Sequence, residues 1–368
     1  MFLSVITFIA VLSILVLAHE LGHFFAARKN GVWVEEFGFG YPPKIWGKKI
    51  GETLYSINLL PLGGFVRLHG EQTEDGVTKP DRAFINKNKK VRFVILSAGV
   101  VMNFLLAVVC FAVFYGFSGV PRETDKVIIS GVVKESPADI AGIKPSDVVL
   151  AVDDRTIFSM DDFSNLIRER KGKETKLQIL SEGEKDPKSI NIIPRVDVPE
   201  NEGPLGVLIT QTEIYFPPLF QRPFLGVYFG FKEALYWGWQ VLNGLYLMTQ
   251  NIFKGQMPKD IAGPVGIFAI TSEVAKVGIL PLINFLGIFS VNLAVINFLP
   301  IPALDGGRFL FIVIEKIFGR KVVPKVEAAV HGAGMIFLLS LFALITFVEI
   351  RRLIVAGSLQ GFLESTLK

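Results

Sequence analysis

Near its start the chain reads Leu17-Ala18-His19-Glu20-Leu21-Gly22-His23-Phe24, an HExxH pattern. The pattern lies inside a long apolar segment, because residues 2–18 are apolar apart from three hydroxyl side chains. Residues four apart share one face of a helix, so His19 and His23 are expected to stack one turn apart. Two imidazoles in that geometry can hold one Zn²⁺, with Glu20 beside them as general base for a water. An ionisable residue at mid-bilayer costs about 2.5–3.5 kcal/mol, so the cluster indicates a function.

The composition favours a membrane protein. The chain has 368 residues, 51% of them hydrophobic, with 32 phenylalanines and a mean hydropathy of +0.47. This is too apolar for a soluble enzyme of the same length. The net charge of +4 is modest, which argues against nucleic-acid binding. Cys110 is the only cysteine, so neither a disulfide framework nor a cysteine-based zinc site is expected.

The apolar runs predict a polytopic α-helical membrane protein with four transmembrane helices. Basic residues follow the first run and precede the second, which places residues 28–92 in the cytoplasm and the amino terminus outside. Asn103, inside the second run, is expected to bond a neighbouring helix. The tail from Glu349 is mixed in character and is expected to form a surface helix. The predicted spans are Phe2–Ala27, Phe93–Phe117, Pro281–Leu299 and Gly332–Val348.

Between the first two spans lies a region rich in glycine and β-forming residues, which predicts a membrane-associated β-hairpin or sheet. It includes the strand Gly63-Gly64-Phe65-Val66. A strand with an open edge near an active site can take an extended substrate by strand addition. A small cytosolic hairpin packed on the spans is the alternative.

Two histidines leave a catalytic zinc short of one protein ligand. His69 and His331 are more typical of surface or capping residues. The better candidate is Asp305, in the sequence Asn297-Phe298-Leu299-Pro300-Ile301-Pro302-Ala303-Leu304-Asp305-Gly306-Gly307. A carboxylate at the end of an apolar span is costly unless it is paired or liganded, and the two glycines permit close backbone approach.

Residues 127–198 carry charges of both signs and short strands. The sequences Ser136-Pro137-Ala138 and Ala141-Gly142-Ile143-Lys144-Pro145-Ser146-Asp147, with a helix predicted at Met160–Arg170 and a strand at Thr175–Leu180, resemble a PDZ domain. The expectation is therefore an inserted α+β PDZ domain whose groove takes a peptide segment as an added strand, or acts only sterically.

Together these motifs resemble the site-2 protease family of intramembrane metalloproteases. HExxH in the first span, the Gly-Gly-Phe-Val strand, the PDZ-like insertion and the Asn-x-x-Pro-x-Pro-x-Leu-Asp-Gly-Gly sequence occur in the family's order. The resemblance covers nearly the whole chain and is closest to the bacterial regulator-of-sigma-E-type proteases. Some relatives have two PDZ domains, so a filter built from two domains is not carried over.

The resemblance implies one Zn²⁺ per chain, bound by His19, His23 and Asp305, with Glu20 as catalytic base. Asn297 and the strand formed by Gly63, Gly64, Phe65 and Val66 would hold the substrate backbone. The implied substrates are single-span membrane proteins in the lipid bilayer, such as anti-sigma factors or remnant signal peptides, cut in regulated intramembrane proteolysis. The implied location is the bacterial cell (inner) membrane, with an extracytoplasmic PDZ domain and an active site near the cytoplasmic side.

A site shared by the first and third spans constrains the topology. Asp305 must lie near the cytoplasmic side, so the third span must enter from outside. A single crossing by Phe224–Phe253 would put Asp305 on the wrong face, so this segment is expected to lie in the interface. The predicted domains are residues 1–119 with two spans and the β region, 120–203 as PDZ domain, 204–276 as interfacial amphipathic region, and 277–368 with two spans.

Two other classes of protein use similar features. A membrane metal transporter or sensor could use the same ligands, and it would not need Glu20 as a base. A catalytically inactive PDZ scaffold would need neither zinc nor His19. Replacement of Glu20 by Gln, with zinc content and cleavage both measured, separates these hypotheses.

Overall fold

The computed structural model describes residues 2–71, 77–199, 202–255, 262–319 and 322–366. By its internal contacts the chain divides into a first unit, residues 1–118 with 219–368, and a second unit, residues 119–218. The first unit opens with α1 (Phe2–Lys29), β1 (Val34–Ile50), β2 (Thr53–Leu68) and α2 (Lys89–Ser118). The second unit contains β3 (Val120–Val132), α3 (Pro137–Ile140), β4 (Val148–Val152), β5 (Arg155–Thr156), α4 (Met160–Glu169), β6 (Thr175–Leu180), β7 (Lys188–Ile192) and β8 (Val207–Tyr215). The first unit resumes with α5 (Arg222–Phe253), α6 (Pro264–Val277), α7 (Ile279–Phe298), α8 (Asp305–Phe318), α9 (Pro324–Ala356) and α10 (Leu359–Thr366).

Four helices of the described chain are long and apolar enough to cross a membrane, as the sequence predicted. They are α1, α2, α7 and residues Lys325–Ala356 of α9. The fourth helix is much longer than the predicted span, because it continues through Glu349. The stretch from Glu349, predicted as a surface helix, is therefore divided between the end of α9 and the separate helix α10. The carboxylate of Glu349 is buried and accepts hydrogen bonds from backbone N–H groups in the first turn of α6, at 2.7–3.2 Å.

Strands β1 and β2 form a small sheet in which each long strand bends back on itself. Residues 34–39 pair on one side with residues 64–68 and on the other with residues 53–58, and residues 44–50 add a further edge. The sheet order is therefore 64–68, 34–39, 53–58, 44–50. The inner half of β1 alternates between buried and half-buried residues, and it packs with α1, α2 and α8 in one hydrophobic core.

The second unit is an antiparallel sheet with the order β7-β6-β4-β3-β8, with β5 beside β4. The predicted helix at 160–170 and the strand at 175–180 correspond to α4 and β6. The predicted boundary at residue 203 is too early, because β8 pairs with β3 and completes the sheet as its edge strand. Residues 207–215 therefore belong to this sheet and not to an interfacial segment.

Helix α5 packs lengthwise on α2 in antiparallel fashion. Glycines allow the close approach: a Cβ on Gly226 would lie 2.7 Å from the Ala112 carbonyl oxygen, and one on Gly230 would lie 2.7 Å from that of Val108. Further along, Gly238 faces Val291 of α7. Helix α5 is not among the four candidate spans. Its antiparallel packing along α2, itself a candidate span, argues against the expected placement of Phe224–Phe253 in the membrane interface, because a helix that lies lengthwise along a span does not lie in the plane of the membrane surface.

Candidate metal centre

Helix α1 carries the HExxH residues on adjacent positions of one face. The Nε2 atoms of His19 and His23 lie 3.1 Å apart, and both residues are buried. The two rings meet edge to face, with centroids 4.7 Å apart. The helical spacing thus brings two ring nitrogens to one point, as predicted from the sequence.

Asp305, the first residue of α8, completes this cluster. Its Oδ2 atom lies 3.0 Å from His19 Nε2 and 3.2 Å from His23 Nε2. The glycine after it makes this possible, because a Cβ on Gly306 would lie 1.9 Å from the carbonyl oxygen of Leu299. The end of α7 and the start of α8 therefore approach more closely than any larger residue at 306 would allow.

The three atoms fit a single zinc ion. Ligand atoms at tetrahedral zinc, with bonds of about 2.0–2.1 Å, lie about 3.3 Å from one another, close to the separations seen here. Asp305 Oδ2 is buried and forms no well-directed hydrogen bond within the described residues. Two imidazoles and one carboxylate are a catalytic donor set, which leaves a fourth position open. Among the described residues these three side chains also form the one group close enough to hold a metal ion.

Each histidine has a partner on α2 for its other ring nitrogen. His23 Nδ1 lies 2.9 Å from the backbone oxygen of Ile95, and His19 Nδ1 lies 3.4 Å from Asn103 Nδ2. The prediction that Asn103 bonds a neighbouring helix is confirmed. Its role beside a ligand was missed, although a single amide on a strongly apolar helix was the available signal.

Helix α2 approaches the two rings closely at Gly99. A Cβ at this position would lie 2.4 Å from His23 Nε2 and 2.7 Å from His19 Cε1. The backbone of α2 therefore packs directly against the two imidazole rings.

Glu20 is half-buried and lies beneath the glycine bend of β2. A Cβ on Gly64 would lie 3.6 Å from Glu20 Cγ and 3.8 Å from Leu17 Cδ2. The predicted strand Gly63–Val66 therefore runs over the face of α1 that carries Glu20. Its backbone belongs to the outer strand 64–68, which pairs with residues 34–39 on one side only within the described part of the chain.

Asn297 lies in the last turn of α7 and is half-buried. The structure records no side-chain hydrogen bond for it among the described residues, and it is not one of the clustered ligands. Neither His69 nor His331 joins the cluster. His69 Nδ1 pairs with Glu35 Oε1 at 2.6 Å, and His331 Nδ1 accepts a hydrogen bond from the Ala303 N–H at 3.0 Å, in the loop before Asp305.

Two ion pairs join α8 to its surroundings. Arg308 pairs with Glu71, which follows β2, and Arg92 of α2 pairs with the buried Glu315. Beside Arg308, a cavity of about 410 Å³ extends to Glu327 and His331 of α9. The helix that supplies the third ligand is thus held by charged contacts in a mostly apolar unit.

The comparisons with known proteins agree with this geometry. The model of peptidase family M50 matches residues 7–341. Two clostridial proteins, each named a "putative zinc metalloprotease", are similar over most of their length. The protein of Clostridium perfringens is 34% identical over 340 residues, covering 92% of this chain and 96% of the relative. That of Clostridium acetobutylicum is 31% identical over 352 residues, covering 95% and 98%. The "zinc metalloprotease RasP" of Oceanobacillus iheyensis is 28% identical over 432 aligned positions, covering 95% and 99%. The chain therefore belongs to peptidase family M50, the site-2 protease family of zinc metalloproteases.

Proposed function

We propose that this protein hydrolyses peptide bonds within the membrane-spanning segments of single-span membrane proteins. One observation carries the proposal: His19, His23 and Asp305 converge within 3.2 Å of one another on helices of the membrane-spanning unit, with Glu20 next to them in sequence. A soluble protease would not need to bury its ligands in such helices.

His19, His23 and Asp305 would hold the zinc, and Glu20 is the proposed general base. When bound, zinc polarises a peptide carbonyl and lowers the pKa of a water towards neutrality. The Glu20 carboxylate takes a proton from the attacking water and returns it to the leaving nitrogen. Its half-buried position under β2 keeps it next to the bond to be cut.

A membrane-spanning substrate must unwind before it can be cut, because its backbone carbonyls are otherwise bonded within its helix. The outer strand Gly63-Gly64-Phe65-Val66 lies over Glu20 and has a free backbone edge among the described residues. We propose that the unwound segment adds to this edge as a further strand. The amide of Asn297 is proposed to hold a substrate peptide group.

The second unit is proposed to be an extracytoplasmic PDZ domain, with β8 as the edge strand beside its groove. In this proposal the unit limits access to substrates whose outer domains have already been removed, or it binds a peptide segment of the substrate. Anti-sigma factors and remnant signal peptides are the proposed substrates, in the multi-pass setting of a bacterial inner membrane with the metal centre near the cytoplasmic side.

Glu20→Gln tests this function. The variant should retain zinc, since the ligands are intact, and should lose at least about a hundredfold in cleavage of a model membrane-spanning substrate. Glu273→Gln, which alters an exposed ion pair on α6, is the matched control and should behave as the unaltered protein. Equal cleavage by Glu20→Gln and the unaltered protein would overturn the role of Glu20 as base. Zinc binding without any cleavage by the unaltered protein would overturn the protease proposal and favour a metal transporter or sensor.

A further inference from the structure

Asn103 is fully buried on α2, at the level of the metal centre, and its position is fixed from two sides. Its side-chain nitrogen lies 3.4 Å from His19 Nδ1. Its backbone oxygen accepts a hydrogen bond of 2.7 Å from Ser290 Oγ on α7, and Ser290 is also fully buried. A fully buried amide between three helices is costly in an apolar interior, because its polar atoms lose their hydrogen bonds to water, unless they bond partners or have a function.

In the structure, the side-chain nitrogen of Asn103 has a hydrogen-bond partner, whereas the side-chain oxygen, Oδ1, is buried and has none within the described residues. The oxygen and nitrogen of an amide have nearly the same shape, so turning the group by 180° exchanges them without moving any neighbour. Either atom can therefore face His19.

The two orientations select different forms of the His19 ring. If the amide N–H faces Nδ1, then Nδ1 accepts, and the proton of a neutral ring lies on Nε2, which faces Asp305. That form cannot bind a metal through Nε2. If Oδ1 faces Nδ1 instead, the ring donates from Nδ1, and the Nε2 lone pair is free. His23 already has this arrangement, since its Nδ1 donates to the carbonyl oxygen of Ile95.

We infer that Asn103 is a positioning residue for the metal centre: its Oδ1 accepts the Nδ1 proton of His19 and so presents Nε2 to the zinc. This inference rests on the proposed function only in taking His19 as a ligand. The amide can also donate to Nδ1 when no metal is present, so one side chain satisfies the ring in both states. An outer partner of this kind typically changes metal affinity by about 10–100-fold when it is removed.

Zinc affinity of the full-length protein in detergent tests the inference, measured by competition with a chromophoric chelator. Asn103→Leu removes the acceptor and should weaken zinc binding about 10–100-fold. Asn103→Asp keeps an acceptor of the same shape and should bind zinc within about threefold of the unaltered protein, or more tightly. The matched control is Asn292→Leu, because within the described residues the Asn292 amide bonds the Ile288 oxygen of its own helix, α7, and no other group.

A second readout does not depend on affinity or on cleavage. With Co²⁺ in place of zinc, the visible absorption band reports the geometry of the ligands. It should be unchanged in Asn103→Asp and Asn292→Leu, and shifted or weakened in Asn103→Leu. If Asn103→Leu does not fold, Asn103→Ala replaces it, and size-exclusion profiles confirm that the compared variants are folded.

His19→Ala separates the two proposals. If His19→Ala weakens zinc binding and Asn103→Leu does not, the role of Asn103 is overturned and the proposed function stands. Equal losses in Asn103→Asp and Asn103→Leu also overturn it, because the acceptor oxygen would then be immaterial. If His19→Ala itself leaves zinc binding unchanged, His19 is not a zinc ligand. Both the proposed function and the role of Asn103 are then overturned.

Discussion

At the scale of single residues, the clearest prediction concerns Gly99. A methyl group at this position would lie 2.4 Å from His23 Nε2, so Gly99→Ala must push a ligand ring or the backbone of α2 aside. We expect zinc affinity and cleavage each to fall at least about tenfold, since small displacements of ligands are costly at such sites. Gly116→Ala lies on the same helix with no atom within 4 Å of the added carbon, and it should change neither quantity. Equal behaviour of the two variants would contradict the close approach.

The residues of the centre differ in how far the sequence could predict them. His19 and His23 follow from the helical repeat, because four residues separate them on one element. Asp305 could be singled out by its cost in an apolar span, but its meeting with α1 depends on tertiary packing. The amide of Asn103 stands out on its apolar helix, but its pairing with His19 joins two separate helices and could not be predicted from the sequence. The role of Asn297 stays a prediction.

At the scale of elements, α8 depends on the buried ion pair between Arg92 and Glu315. The two side chains are 7% and 2% exposed, so removing one partner leaves an unpaired buried charge. Arg92→Met should lower the free energy of unfolding by about 3–5 kcal/mol, and Arg92→Met combined with Glu315→Leu should recover much of that loss. Zinc affinity should fall with the single variant, because α8 carries Asp305.

The exposed pair Lys276–Glu273 is the control for this experiment. Its side chains are 65% and 39% exposed, and Lys276→Met should cost less than about 1 kcal/mol. Thermal unfolding in detergent measures the loss of stability caused by each substitution. A loss in Arg92→Met as small as that in Lys276→Met would show that the buried pair does not hold α8.

Helices and strands could be predicted from the sequence where they depend on neighbouring residues. The pairing of strands that are distant in sequence could not. The four apolar runs predicted the four candidate spans. The strand content of residues 34–68 was also predicted, but the bending of β2 around β1 follows from pairing that no sequence period encodes. The membership of β8 in the second sheet was missed for the same reason, because its partner β3 lies some eighty residues earlier.

At the scale of the whole molecule, the two units permit a direct test of substrate selection. Removal of residues 119–218, with Ser118 joined to Leu219 by a short flexible linker, deletes the complete second unit. A deletion of 127–198 alone would remove four of the eight residue pairs between β3 and β8. The variant lacking 119–218 should cleave a substrate that still carries its outer domain, whereas the full chain should cleave only the trimmed form. Unchanged selectivity would count against a role for this unit as a size filter.

The division of the metal centre between α1 and α8 also bears on how the protein is made. His19 and His23 are synthesised before Asp305, which follows roughly 280 residues later. At roughly 5–20 residues per second, this delay is on the order of 15–60 s. During that interval the nascent chain carries the complete HExxH helix but lacks Asp305, the proposed third ligand. Because the proposed ligand set is complete only after α8 has been made, we expect cleavage to begin only when α8 has folded against α1.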